Sequence, residues 1–508
     1  MKKFALILTL GLMAASPAYA DEAPAAGSKA DAAKAAPIPK ELKSVTHHSV
    51  SIGGKSIGYD ATAGTLLIKD DKDEAVASMF YVAYTTGDAK RPVTFIFNGG
   101  PGSSSMWLHM GSFAPVRVVT PDAQPTPPAP YDLAANPYSL LDKTDLVFVD
   151  AVGTGFSRIV GKGEPKDFYG VDQDVSAFGR FIQRYVSVND RWNSPKFLLG
   201  ESYGTTRAAG LSAWLEHRGV ALNGVVLVSS WLDPYVDFFG PNYAVDEPYE
   251  LYLPTMAATA WYHDKIPNKP KDLAAFVQQA REFALGEYAT ALTQGDRLPI
   301  AQRQAIAAKL SSFIGLSPQY ILEAKLRVTP DRFQKELLRD EARTTGRLDA
   351  RFVGIDHDSA GESPESDAAS DAFGPAFVAA FNNYVRTELK FDTDMSYKPT
   401  AYDVGNDWDW SHNVDGNKAP LFDVAEDLRI AMTEDPHLQV FSANGYYDFA
   451  TPFLETEYTL HHMGLDDSLQ KNLHFGYYES GHMIYMHVPA LKQLKADLAR
   501  FYDDSTHQ

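Results

Sequence analysis

The chain has 508 residues, 45% hydrophobic and 12% aromatic, enough material for a large core or a core carrying an inserted domain, so disorder throughout is excluded. Its formal net charge of −19 disfavours contact with a phosphate backbone, and nucleic acid is not an expected partner. There is no cysteine, which excludes disulfides, a lipid-modified cysteine anchor and any thiolate metal site.

The first residues, "MKKFALILTLGLMAASPAYA", place Lys2 and Lys3 before an apolar run over residues 4–15 and a small-x-small site ending at Ala20. This is the pattern of a secretory signal peptide over residues 1–20, and the run is shorter than the roughly 20 residues that span a bilayer. An exported protein, periplasmic or secreted, with no membrane anchor after cleavage is expected. Residues 21–44 are rich in Ala, Pro and Lys and read as a flexible linker.

From about Val45, "VSIGGKSIGYDATAGTLLIKD" and "ASMFYVAYTT" alternate apolar and polar residues around Gly53-Gly54, as antiparallel hairpin strands do. Short apolar runs follow: "PVTFIF", "DLVFVD", "KFLLG" and "GVVLVS". They alternate with helix-like segments over residues 171–185 and 205–217. Strands buried on both faces and separated by helices predict an α/β fold with a mostly parallel sheet. The alternation stops near Asp233, and residues 234–410 read as a mainly helical insertion. The runs "LQVFSA" and "LHFGYY" and a last helix over residues 489–502 then resume the core. The expected organisation is therefore core over residues 45–233, insertion over 234–410 and core over 411–508. Within the insertion, the acidic stretch over residues 356–371 lacks the glycine and closing glutamate of a calcium-binding EF-hand loop and reads as a solvated surface loop.

Chemistry gathers where strands end. "GESYG", Gly200 to Gly204, fits G-x-S-x-G between an apolar strand and a helix-forming run, the context a nucleophile elbow needs. A serine hydroxyl requires a base, and the base an orienting acid. Asp448 follows the "LQVFSA" strand and His482 the "LHFGYY" strand, so Ser202, Asp448 and His482 occur in the chain order of α/β-hydrolases. A tetrahedral intermediate needs two N–H donors. Tyr203 follows the nucleophile, and "NGGPGSSS", after the "PVTFIF" strand, offers Gly100.

Together with "DAVGTGFS" (Asp150 to Ser157), "NGYYDFATP" and "ESGHM", these stretches resemble the serine carboxypeptidases, peptidase family S10 of the α/β-hydrolase superfamily. The resemblance implies Ser202 as nucleophile, His482 as general base and then acid, Asp448 as its orienter, and Gly100 and Tyr203 as the oxyanion pair. It also implies that Asn98 and Glu201 hydrogen-bond the terminal carboxylate of a peptide substrate, with no metal or organic cofactor. Glu201 can donate to that carboxylate only when protonated, so burial should raise its pKa. An esterase, amidase or acyltransferase could use the same three residues, and a non-catalytic peptide-binding protein is a further alternative.

The chain departs from the family pattern in three places. Ser103 stands where members carry a cysteine, Ile96 where they carry a tryptophan, and Ser112 where they carry a second carboxylate-binding glutamate. The last departure weakens the expectation of a substrate carboxylate shared between two acids.

Overall fold

Gly53 and Gly54 both adopt left-handed backbone, φ 56° and 79°, and turn β1 (Lys43–Ile52) into β2 (Lys55–Lys69) with Ile52 opposite Lys55. A two-residue turn with positive φ at both positions matches the natural strand twist, which is why glycine stands at both. The computed structural model describes residues 36–234, 245–414 and 416–506, so the expected signal peptide and most of the expected linker lie outside the described residues. β1 starts at Lys43, within the last residues of that linker.

β3 (Ala75–Thr85) continues the antiparallel edge, and β4 (Val93–Phe97) and β5 (Asp145–Val149) open the parallel part. The short β6 (Arg158–Ile159) pairs with β3. β7 (Lys196–Ser202), β8 (Gly224–Ser230), β9 (Gln439–Gly445) and β10 (Leu473–Tyr478) complete the sheet in the order β1-β2-β3-β5-β4-β7-β8-β9-β10. The apolar runs are continuous because both faces are covered. Phe95, Phe97, Val147, Leu198, Val225 and Leu227 face a cluster shared with Val175 and Phe178 of α1 (Val171–Val188) and Leu211 of α2 (Tyr203–Glu216). Ile96, Phe148, Leu199 and Val226 belong to the opposite cluster.

A separate apolar cluster joins α3 (Glu247–Tyr262), α4 (Leu273–Phe283) and α5 (Ile300–Ile314) through Leu253, Val277 and Leu310. The next long helix, α6 (Ala368–Thr387), leaves that body although it falls within the expected insertion. Its Phe377 and Phe381 enter the sheet's cluster with Ile96 and Phe148, and Tyr384 bonds Tyr84 of β3 at 3.1 Å. The acidic stretch before it is not simply solvated. Asp356 is buried in an ion pair with Lys335, Arg339 donates to the Ser359 and Gly361 carbonyls, and Asp367 caps α6 through Ala369 and Ser370. Among the described residues no group of three acidic, histidine or cysteine side chains is arranged to hold a metal ion.

The chain returns through His412, which is buried between Asp172 at the start of α1 and Asp427 in α7 (Ala425–Glu434), at 2.5 and 2.7 Å from its two ring nitrogens. Both nitrogens face carboxylates, so the ring carries both protons. Burial opposes that charge, but the bonds to Asp172 and Asp427 outweigh it and push the pKa up to about 9. A raised folded-state pKa stabilises the fold fully below the unfolded value of about 6.5 and ceases to do so as pH rises through the folded one. His412→Gln is therefore expected to destabilise the protein by about 3 kcal/mol near pH 6. The gap between the two denaturation midpoints should close between about pH 6.5 and the folded value near 9. A gap independent of pH would show that packing, not charge, holds this joint. After α8 (Phe453–His462), the last helix, α9 (Val488–Thr506), buries Leu491, Leu494, Leu498 and Phe501 against the sheet.

Candidate active site

Ser202 ends β7 and caps α2 with φ 60° and ψ −134°, a backbone conformation that costs energy in any residue but glycine. The turn survives because three glycines let two loops touch. A Cβ on Gly200 would lie 2.0 Å from the Gly204 carbonyl oxygen, one on Gly204 2.6 Å from that of Phe97, and one on Gly99 2.4 Å from the Tyr203 nitrogen. The backbone of Gly99-Gly100 is thereby set against the first N–H of α2. Gly100 itself has φ 109°, so this loop too needs glycine.

Buried polar groups fix that loop. Arg207 in α2 donates to Asp174 Oδ2 and to the Asn98 carbonyl, each at 2.7 Å. The Ser105 N–H donates to Asp150 Oδ1 at 2.8 Å, and the Tyr397 hydroxyl to the same oxygen at 3.2 Å. Gly155 makes room for Asp150, since a Cβ there would lie 1.8 Å from Oδ2. Asp150 is thus the tie between "DAVGTGFS" and "NGGPGSSS", and burial pushes its carboxyl up to about 6. Trp408 and Trp410 pack edge-on against the Tyr203 ring at 5.3 and 6.3 Å.

Asp448 and His482 come together beyond the ends of β9 and β10. Asp448 Oδ1 accepts from the Ala450 and Thr451 N–H groups at 2.8 and 3.0 Å. Oδ2 faces His482 Nδ1 at 2.8 Å and accepts from the Thr451 hydroxyl at 2.8 Å. The carboxylate therefore takes the proton-bearing side of the ring at Nδ1 and leaves Nε2 as the basic nitrogen. Burial pulls the His482 pKa down, yet the charge and hydrogen bond of Asp448 leave it above its ordinary value. Ser229 of β8 donates to the His482 carbonyl at 2.7 Å, and the neighbouring Ser230 is the register partner of Ser202. His482 is thus fastened to the strand beside the one that ends in Ser202. Among the described residues the Ser202 hydroxyl itself has no hydrogen-bond partner, and no serine–histidine bond is formed.

Asn98 and Glu201 meet. Asn98 Nδ2 donates to Glu201 Oε1 at 2.6 Å, the Tyr485 hydroxyl donates to the same oxygen at 3.3 Å, and Asn98 Oδ1 accepts the Leu108 N–H at 2.9 Å. Glu201 is 3% exposed, and its Oε2 is buried without a partner among the described residues. Burial pushes its pKa up to about 7, against the opposing charge of His482. Ser112 is buried too, and its hydroxyl donates to the Leu108 carbonyl at 2.5 Å within its own helical turn. Sequence reasoning missed Thr451, Tyr485 and Arg207. Thr451 stood inside a quoted motif, three residues beyond Asp448, and Tyr485 stood two residues past the end of another, three beyond His482, whereas nothing in the order of residues marks Arg207 as a partner of Asn98.

Residues 59–481 match the family described as serine carboxypeptidase, peptidase S10. The chain belongs to the serine carboxypeptidase family. The match contains Asn98, Gly100, Glu201, Ser202, Tyr203 and Asp448 and stops one residue before His482. The pheromone-processing carboxypeptidase KEX1 of Saccharomyces cerevisiae is 29% identical over 204 residues, covering 35% of this chain and 27% of KEX1. Serine carboxypeptidase-like 45 of Arabidopsis thaliana is 26% identical over 208 residues, 38% of this chain and 42% of the relative. The aligned part thus spans about a quarter to two fifths of these curated relatives. In three dimensions, the crystal structure of the KEX1 prohormone-processing carboxypeptidase superposes with a TM-score of 0.54 at 18% identity, covering 88% of this chain and 91% of that one. That likeness and the strand order give the α/β-hydrolase fold. KEX1 is named for processing a pheromone or prohormone, and the Arabidopsis relative is named as serine carboxypeptidase-like. Among the described residues no helix is long and apolar enough to cross a membrane.

Proposed function

We propose that the protein is a serine carboxypeptidase that removes the last residue of a peptide through an acyl-enzyme on Ser202. The observation that carries this reading is Glu201, a buried acid bonded to Asn98 with one oxygen unpartnered and a pKa near neutrality. In protonated form its free oxygen donates to the terminal carboxylate of the substrate, while Asn98 supplies a second donor. Ser202 attacks the last peptide carbonyl as His482 Nε2 takes its proton, and Asp448 stabilises the imidazolium. The N–H groups of Gly100 and Tyr203 receive the oxyanion, His482 protonates the departing amino acid, and water releases the peptide. In this reading the chain is exported to the periplasm or the medium, and its partners are peptides with a free C-terminus.

The test compares kcat/KM for an N-blocked dipeptide and its C-terminal amide from pH 4 to 8, with Ser202→Ala as the blank. The free acid should be preferred at low pH, and the preference should fade through about pH 7 as Glu201 ionises and repels the substrate. Glu201→Gln keeps a neutral donor and should flatten that fade. The second reading, a general esterase, amidase or acyltransferase, is favoured by Ser112, whose hydroxyl is committed to its own helix and offers no second acid. Equal turnover of acid and amide at every pH would select it.

A further inference from the structure

The segment from Arg347 to Ala350 is stitched to both loops of the proposed acid–base pair. The Arg347 carbonyl accepts from the N–H of Phe449, next to Asp448, at 3.0 Å, and the Leu348 carbonyl accepts from the N–H of His482 at 2.6 Å. The Ala350 N–H donates to the Tyr447 carbonyl at 3.0 Å. Gly481 is glycine because Asp349 presses on it, with a Cβ placed 2.5 Å from the Asp349 Cα. The helical body thus reaches the site through this segment, whose cation is Arg347.

Three further facts single Arg347 out. Its side chain is exposed, while Leu348 is half-buried and Asp349 and Ala350 are buried. Among the described residues no carboxylate lies within 4.0 Å of its guanidinium. The acids adjoining it in the chain or bonded to its backbone are otherwise engaged. Asp349 is held by Arg351 at 2.6 Å, and Asp367 accepts the Arg347 N–H while capping α6. Its positive charge opposes protonation of His482. In a chain of net charge −19, an exposed arginine left unpaired on the segment bonded to the proposed base can attract an anion that is not part of the protein.

Resting on the peptidase reading above, we propose that Arg347 is a specificity-determining residue whose guanidinium pairs with a carboxylate of the bound peptide. That carboxylate is either the terminal one or that of an acidic side chain beside the scissile bond, and the ligand set separates the two. Dissociation constants are measured by calorimetry in the Ser202→Ala protein, with and without Arg347→Gln, for N-blocked Ala-Ala and Glu-Ala as free acids and as C-terminal amides.

An Arg347→Gln penalty of about tenfold on both free acids and on neither amide assigns the terminal carboxylate. A similar penalty on both Glu-containing ligands, but not on Ala-Ala, assigns the side chain. Arg347→Lys, which keeps the charge, should recover part of either loss. Unchanged constants, or an equal loss that includes the neutral Ala-Ala amide, would overturn the proposal and leave the peptidase reading intact. Failure of all four ligands to bind the Ser202→Ala parent would overturn both. Thermal melting of each variant checks that it folds, as substitution of an exposed side chain should allow.

Discussion

Ser202→Ala is expected to lower kcat for a dipeptide substrate by about 10⁶-fold while leaving KM within a few-fold of the parent value. The hydroxyl has no hydrogen-bond partner among the described residues, so alanine removes no structural bond. The strained φ of 60° is a property of the turn and is shared by the variant. The thermal midpoint should therefore hardly move. Removing the proposed base by His482→Ala should cost nearly as much, because an attacking hydroxyl without a base and a base without a hydroxyl are equally idle. The double variant should then lose little beyond either single one. Single-turnover rates checked against mock-purified protein measure all three. Additive losses, or an alanine variant that keeps a thousandth of the activity, would mean that Ser202 and His482 do not act as a unit.

The parts of this arrangement that were legible in the sequence are those fixed by local pattern. Strands β4, β5, β7 and β8 bury every residue but the half-buried Ser202 at the end of β7, which leaves nearly continuous apolar runs. A serine between glycines after such a run marks a sharp turn, and the acid and histidine also follow strands, so all three sit at one end of a parallel sheet. What the order of residues hid is long-range pairing. Arg207 looks like an ordinary helix arginine until its contacts with Asp174 and Asn98 are seen. The helices of the insertion look alike in sequence, yet α6 shares the sheet's core while α3, α4 and α5 do not. Asp356 sits in the most acidic, turn-rich stretch of the insertion and is buried nonetheless, because Lys335 comes from a helix 21 residues earlier.

The same long-range logic decides what Asp448 does, and its removal gives the second large effect. Asp448→Asn keeps the size of the side chain and can keep Oδ1 on the Ala450 and Thr451 N–H groups, which hold the carboxylate from the backbone side. The amide NH₂ then occupies the place of Oδ2, facing His482 Nδ1, where only an acceptor was satisfied before. To avoid two opposed donors, the imidazole must move its proton from Nδ1 to Nε2, and a protonated Nε2 cannot take the serine proton. A loss in kcat of about 10⁴-fold is expected, with little change in KM. Thr451→Val is the informative companion. It deletes a hydroxyl that bonds the same Oδ2 at 2.8 Å but leaves the carboxylate charge and the histidine tautomer as they were. Its cost should be about tenfold, the worth of one hydrogen bond to a charged group. If Asp448→Asn lost no more than Thr451→Val, the orientation of His482 would rest on its backbone ties to Leu348 and Ser229 rather than on the acid.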